Sequence, residues 1–241
     1  MKIDQLTEQL AQLGPVEGLQ LLAEAFPGKV VLSSSFGQED MVLLDMISRN
    51  TIAVDVFTLD TGRLFQETYD LMDLARARYR KPIKVYFPEA EDVEEYVSEK
   101  GPNAFYDSVA NRKQCCFIRK VKPLQRALSG QQVWVTGLRA SQSANRKDTP
   151  ILEWDEAYQL YKYNPLRDWS YEEMMAYIEQ QRVPYNKLHD QGFVSIGCAP
   201  CTRAIRKGEP ARAGRWWWED SQKECGLHLH TTPRQQAASA G

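Results

Sequence analysis

The chain has 241 residues, 43% of them hydrophobic, enough to bury one full core in a single large domain. Its 30 Lys and Arg against 32 Asp and Glu leave a net charge of -2, so no global field favours nucleic acid or an anionic membrane, and any anion site must be local. The opening Met1-Lys2-Ile3-Asp4-Gln5 leads into a mixed-charge stretch without the apolar core of a signal peptide, and no later apolar run is long enough to span a bilayer, so the expected compartment is the cytosol.

Residues 3–26 read as two short helices, the second with Val16, Leu19, Leu22 and Phe26 at helical spacing. Lys29 to Ser33 is a β-rich apolar run that ends in the polar loop Ser34-Ser35-Phe36-Gly37-Gln38-Glu39-Asp40, and a helical pattern follows from Met41 to Ile47. The unit repeats: a strand over 52–59, an amphipathic helix over 65–79, a strand over 83–87 and a helix around 92–99. Residues 116–128 place Phe117, Val121, Leu124 and Leu128 on one face, with a kink or restart at Pro123, and 133–136 read as the next strand. Arg139 to Pro150 is a candidate active loop, 170–181 a helix, 185–201 mostly loop, and the small polar tail beyond 230 is expected to be disordered. Strands alternating with helices predict an α/β fold, a doubly wound and mostly parallel sheet whose ligand loops lie at the carboxyl ends of the strands, after Leu32, Leu59 and Thr136. The expected organisation is an α/β body over 1–211, a C-terminal segment over 212–230 and a tail over 231–241.

Five cysteines in a chain expected in the cytosol need a reason other than structural disulfides. Cys115-Cys116 are tandem, Cys198 and Cys201 form a C-x-x-C, and Cys225 stands apart. Two close pairs of thiolates suit either Zn²⁺ or an iron–sulfur cluster. Adjacent side chains diverge and chelate one small ion poorly, whereas a four-iron cluster takes neighbouring thiolates on separate corners, and this favours the cluster. Against it stands the plainer possibility that the tandem pair is packing and the C-x-x-C a redox motif, although Gly197-Cys198-Ala199-Pro200-Cys201 follows a loop, not a strand. Arg112, Lys113, Arg119 and Lys120 flank the tandem pair, either as counter-charges to an anionic cluster or as a solvated basic face.

Cys225 lies in Lys223-Glu224-Cys225-Gly226-Leu227-His228, where Lys223 and His228 can lower a thiol pKa; composition alone would leave it an inert surface thiol. Upstream, Arg212 and Arg215 are spaced to share an oxyanion, and Trp216-Trp217-Trp218 to seal a pocket or simply to pack.

Together the Cys-Cys and Cys-x-x-Cys pairs, the arginine-tryptophan segment and Lys-Glu-Cys-Gly-Leu-His resemble the assimilatory adenylyl-sulfate reductases of bacteria and plants, over most of the chain from about residue 29 to 228. The resemblance implies an adenine-nucleotide α-hydrolase-like fold, a [4Fe-4S] cluster on Cys115, Cys116, Cys198 and Cys201, and Cys225 as nucleophile toward adenosine 5′-phosphosulfate. Thioredoxin or a glutaredoxin-like reductant would then release sulfite, and a homo-oligomer is allowed. It also implies substrate contacts from Ser34, Ser35, Gly37, Asp60, Thr61, Gly62, Lys120, Gly137, Arg139, Arg212 and Arg215, with the backbone after the first strand cradling an anion. The loop departs from the Ser-Gly-Gly-x-Asp-Ser of ATP pyrophosphatases, which argues against ATP cleavage. The nearest rival is reduction of 3′-phosphoadenosine 5′-phosphosulfate by the same thiol chemistry; more distant ones are a tRNA-thiolating ATP pyrophosphatase, which has no use for the Glu-Cys-Gly-Leu-His tail, and a non-catalytic iron–sulfur sensor or nucleotide-binding module.

Overall fold

The computed structural model describes residues 3–142 and 146–219, apart from the side chain of Asp4. Cys225 with its Lys-Glu-Cys-Gly-Leu-His surroundings, and the tail over 231–241, lie outside the described residues.

Helices α1 (Ile3–Leu10) and α2 (Pro15–Ala25) precede β1 (Val30–Ser33), α3 (Gln38–Arg49), β2 (Asp55–Leu59), α4 (Gln66–Tyr79), β3 (Ile83–Tyr86) and α5 (Ala90–Lys100). The order matches the sequence reading; the second strand starts three residues later, because Ile52 and Val54 are buried ahead of the sheet. The stretch 116–128, read as helical with a kink or restart at Pro123, continues α6 (Val109–Cys116) as a π-helix over Phe117–Val121 and then α7 (Lys122–Leu128). Pro123 has no N–H to give to the carbonyl four residues back, and the turn before it widens instead of ending. β4 (Val133–Val135) follows, then a hairpin of β5 (Leu152–Asp155) and β6 (Leu160–Tyr163) absent from the sequence reading, and α8 (Tyr171–Gln181), which starts in a capping box of Ser170 and Glu173.

The six strands run in the order β3-β2-β1-β4-β6-β5, all neighbours parallel except the β5–β6 pair. Alternation along the strands feeds two cores. Val30 and Leu32 of β1 join the large cluster containing Leu43, Ile47, Leu71 and Ile178, whereas Val31 packs with Phe57, Leu124, Leu128 and Trp134 on the other face. Helices therefore cover both faces, as parallel strands require. Because β1 is flanked by β2 on one side and β4 on the other, the connections leave it in opposite directions and open a crevice at its carboxyl end. No helix among the described residues is long and apolar enough to cross a membrane.

Candidate active site

The crevice is a cleft open to solvent and large enough for a nucleotide. Its walls come from the three loops named in advance: Ser33 to Asp40 after β1, Leu59 and Thr61 after β2, and Thr136 to Arg139 after β4. Ser34, Ser35, Gly37, Thr61, Lys120, Gly137, Arg139, Arg212 and Arg215 all line it. Asp60 and Gly62 do not. The Asp60 carboxylate accepts from the Gly62 N–H at 2.8 Å and the Tyr69 hydroxyl at 3.0 Å, and Gly62 has φ +70, so this pair shapes the loop that presents Thr61.

Two of the lining groups are engaged within the protein. Both the N–H and the hydroxyl of Ser35 donate to Asp40, at 2.6 and 2.8 Å. Burial raises the Asp40 pKa to about 6, the Ser35 hydrogen bonds opposing it. Arg139 donates to Glu39 at 2.9 Å and to Ser141 at 2.6 Å, a buried pair that neutralises its charge. This end of the cleft is thus polar to acidic. The opposite end carries Lys120, Arg212 and Arg215. Arg215 is buried over the Trp216 ring, 4.8 Å from guanidinium carbon to centroid, and its Nη1 lies 3.4 Å from the Ser195 hydroxyl and the Ile196 carbonyl. Gly197 makes room for it: a Cβ there would sit 2.4 Å from Arg215 Nη2.

Sequence reasoning missed Arg146 and His189 as cleft residues. Arg146 falls in the stretch flagged as an active loop, but charge alone did not single it out. His189 sits on a short 3-10 turn, and burial lowers its pKa, so the imidazole is held neutral. Only the packing reveals it.

Beside the cleft lies a second, small cavity, lined by Cys115, Cys116, Cys198 and Cys201 together with Arg63, Phe105, Arg112, Arg119 and Lys120. Helix α6 and a 3-10 turn over Ala199–Cys201, entered from Cys198, thus bring two thiol pairs distant in sequence to one place. All four are free thiols. Burial pushes Cys201 up to about 12 and raises Cys115, and neighbouring thiols add to both. Among the described residues, no group of three or more His, Cys, Asp or Glu is arranged to hold a metal ion. The donor set nevertheless fits a polynuclear cationic core: four thiols line one cavity, and deprotonating them together requires positive charge at its centre and rim. Lys120 and Cys198 belong to the walls of both cavity and cleft, and Thr61 Oγ1 stands 3.3 Å from Cys198 Sγ.

A family model described as phosphoadenosine phosphosulfate reductase domain matches residues 29–204. The chain belongs to this family. An adenosine 5′-phosphosulfate reductase of Allochromatium vinosum is 53% identical over 211 residues, covering 87% of this chain and 82% of that protein. The crystal structure of phosphoadenylyl-sulfate reductase from Candida auris, a phosphate complex, superposes with TM-score 0.73 at 34% identity, over 84% of this chain and 96% of that one. An FMN adenylyltransferase from Candida glabrata, with FMN and an ATP analogue, shares the fold alone: TM-score 0.51 at 13% identity, over 86% of this chain and 74% of that one. The fold is accordingly adenine-nucleotide α-hydrolase-like, and the chain is an enzyme of the reductase family.

Proposed function

We propose that this enzyme reduces adenosine 5′-phosphosulfate to sulfite and AMP through a sulfonate on Cys225. The observation that carries the reading is the shared wall: a nucleotide-sized cleft whose basic end, with Lys120, Arg212 and Arg215, abuts a cavity of four thiols. The 53% identical relative named for this substrate supports the choice of nucleotide.

The charge distribution orients the substrate. A phosphosulfate carries negative charge that the Lys120–Arg212–Arg215 end attracts, whereas at the other end Arg139 is already neutralised by Glu39, so the nucleoside occupies the latter and the sulfo group the former. A thiolate approaching sulfur meets like charge, and cations in a partly dry site offset that repulsion. The Cys225 thiolate attacks the sulfate sulfur; a bond from Sγ to that sulfur forms, and the bond to the bridging phosphate oxygen breaks with its electron pair leaving on AMP. A dithiol protein such as thioredoxin then attacks Cys225 Sγ, sulfite departs with the electron pair of the sulfur–sulfur bond, and the second thiol resolves the mixed disulfide. Two electrons pass from the dithiol to the sulfo group.

In this reading Cys115, Cys116, Cys198 and Cys201 hold a [4Fe-4S] cluster. Bound there, it supplies a cross-link between α6 and the loop before β-bridged residue Thr202, and a fixed electrostatic environment for the cleft. Arg63, Arg112, Arg119 and Lys120 supply its counter-charges.

Mass spectrometry of the reduced holoenzyme after incubation with adenosine 5′-phosphosulfate alone tests the intermediate. One sulfo group is expected on the peptide containing Cys225, and none in Cys225→Ser; full turnover in Cys225→Ser would refute the mechanism. The family model and the Candida auris structure are named for the 3′-phosphorylated nucleotide, which makes that the competing substrate. Sulfite release measured with each nucleotide decides between them, and a large preference for the 3′-phosphorylated one would overturn the assignment.

A further inference from the structure

The segment from Arg212 to Glu219 packs against the cysteine cluster as a strap. Near its start, Arg203 N–H donates to the Gly214 carbonyl at 3.0 Å, Arg215 forms an isolated antiparallel bridge with Thr202, and Trp216 N–H donates to the Cys201 carbonyl at 3.2 Å. Gly214 has no alternative there, since a Cβ would lie 2.2 Å from the Arg203 carbonyl oxygen. In the middle, the fully buried Trp216 packs with Phe105, Cys198 and Cys201, and Trp218 packs on the same cluster. The far end is closed by a buried bidentate pair: Arg112 Nε and Nη2 donate to the two carboxylate oxygens of Glu219, each at 2.9 Å, with side chains 6% and 3% exposed. The same guanidinium stacks on Trp216 at 4.6 Å.

Such a pair is a poor way to gain stability, because desolvating both charges offsets most of their attraction, but breaking one partner strands the other. Its geometry specifies one arrangement. Arg112 stands three residues before the tandem cysteines, and Glu219 six residues before Cys225. A six-residue tether reaches at most about 20 Å, so where Glu219 is held limits where the Cys225 sulfur can be delivered.

We propose that the Arg112–Glu219 pair is a positioning element that fastens the strap over the four thiols and thereby couples order in the cysteine cavity to presentation of Cys225. The coupling is reciprocal: a gathered cysteine site builds the surface on which Trp216 and Arg112 seat the strap, and the seated strap keeps the thiols covered. The part concerning Cys225 rests on the function proposed above; the part concerning the strap does not.

The test uses full-length protein as purified, with Glu219→Gln and Arg112→Lys compared with wild type, and Glu219→Asp as the conservative variant. Three quantities are read: the alkylation rate of Cys116 and Cys201 by peptide mass spectrometry, the rate of Cys225 sulfonation, and affinity for AMP. Opening the strap is expected to raise alkylation about tenfold or more and to slow sulfonation about tenfold, with AMP affinity unchanged and partial recovery in Glu219→Asp. Unchanged alkylation would overturn the fastening. Faster alkylation with sulfonation intact would overturn the coupling, and parallel loss of AMP affinity would mark general unfolding and overturn it as well. Absence of any adduct in wild type would refute the proposed reaction while alkylation still decides the strap.

Discussion

Replacing Gly197 by alanine isolates the contribution of one cation. The residue's backbone is not left-handed, so alanine adds no conformational strain; its Cβ alone would meet the Arg215 guanidinium, at 2.4 Å from Nη2, 2.6 Å from Cζ and 2.9 Å from Nη1. Ordinary contact requires the guanidinium to retreat by about 1 Å. Retreat is resisted, because the side chain is buried against Trp216 and its Nη1 faces Ser195 and Ile196. Losing one charge-assisted hydrogen bond to the phosphosulfate costs about 1.5–3 kcal/mol, which is roughly 10- to 150-fold in kcat/KM. Crowding in a packed site adds about 1–3 kcal/mol of destabilisation. Steady-state sulfite release by the Gly197→Ala holoenzyme, with a urea melt beside it, measures both. A folded variant whose kcat/KM stays within about twofold of wild type would refute the placing of Arg215 at the reacting group.

Asp40 makes stability depend on pH. Its folded pKa of about 6 lies above the ordinary carboxylate value of 3.8, so the folded state binds the proton more tightly; the resulting stabilisation is fully present below pH 4 and is lost as pH rises through 6. The whole change is about 3 kcal/mol, and Asp40→Asn is expected to flatten that part of the denaturation profile between pH 4 and 7; an unchanged profile would refute the assignment. Ser170→Ala removes the side-chain acceptor that takes the Glu173 N–H at 3.0 Å and opens the capping box of α8. A loss of about 1 kcal/mol is expected in chemical denaturation, and an unchanged midpoint would refute the role of the cap.

The β-loop-α units up to α5 were legible because each strand is a short apolar run closed by polar loop residues and each helix carries its own periodicity. The hairpin of β5 and β6 was not, and Lys162 shows why. In a pattern of alternating sides, Leu160 and Lys162 occupy the same buried face, and a charge there breaks the apolar signal. The fold accepts it because Lys162 pairs with Glu153 across the hairpin at 3.0 Å and lies 5.5 Å over the Trp134 ring. Neither compensation is local in sequence. The cysteine quartet and the flanking Arg112 were visible in the sequence, whereas Arg63 and Phe105 reach the same cavity from distant elements, and Glu219, the partner of Arg112, carries no motif of its own.

The π-helix over Phe117–Val121 connects these levels. It follows Cys116 directly and turns two consecutive basic residues to different tasks. Arg119 is buried and donates to the Thr61 carbonyl at 2.7 Å, fixing the β2 loop, while Lys120 reaches the wall common to cavity and cleft. In an ideal α-helix adjacent positions are separated by about 100°, and every residue beyond Cys116 keeps that phase. Widening by one residue per turn shifts the phase of all that follows, so α7 can bury Leu124 and Leu128 against the sheet while the cysteines ahead of it face the cavity. Pro123, which reads in the sequence as a defect in a helix, thus lets a single continuous segment serve both the hydrophobic core and the charged site.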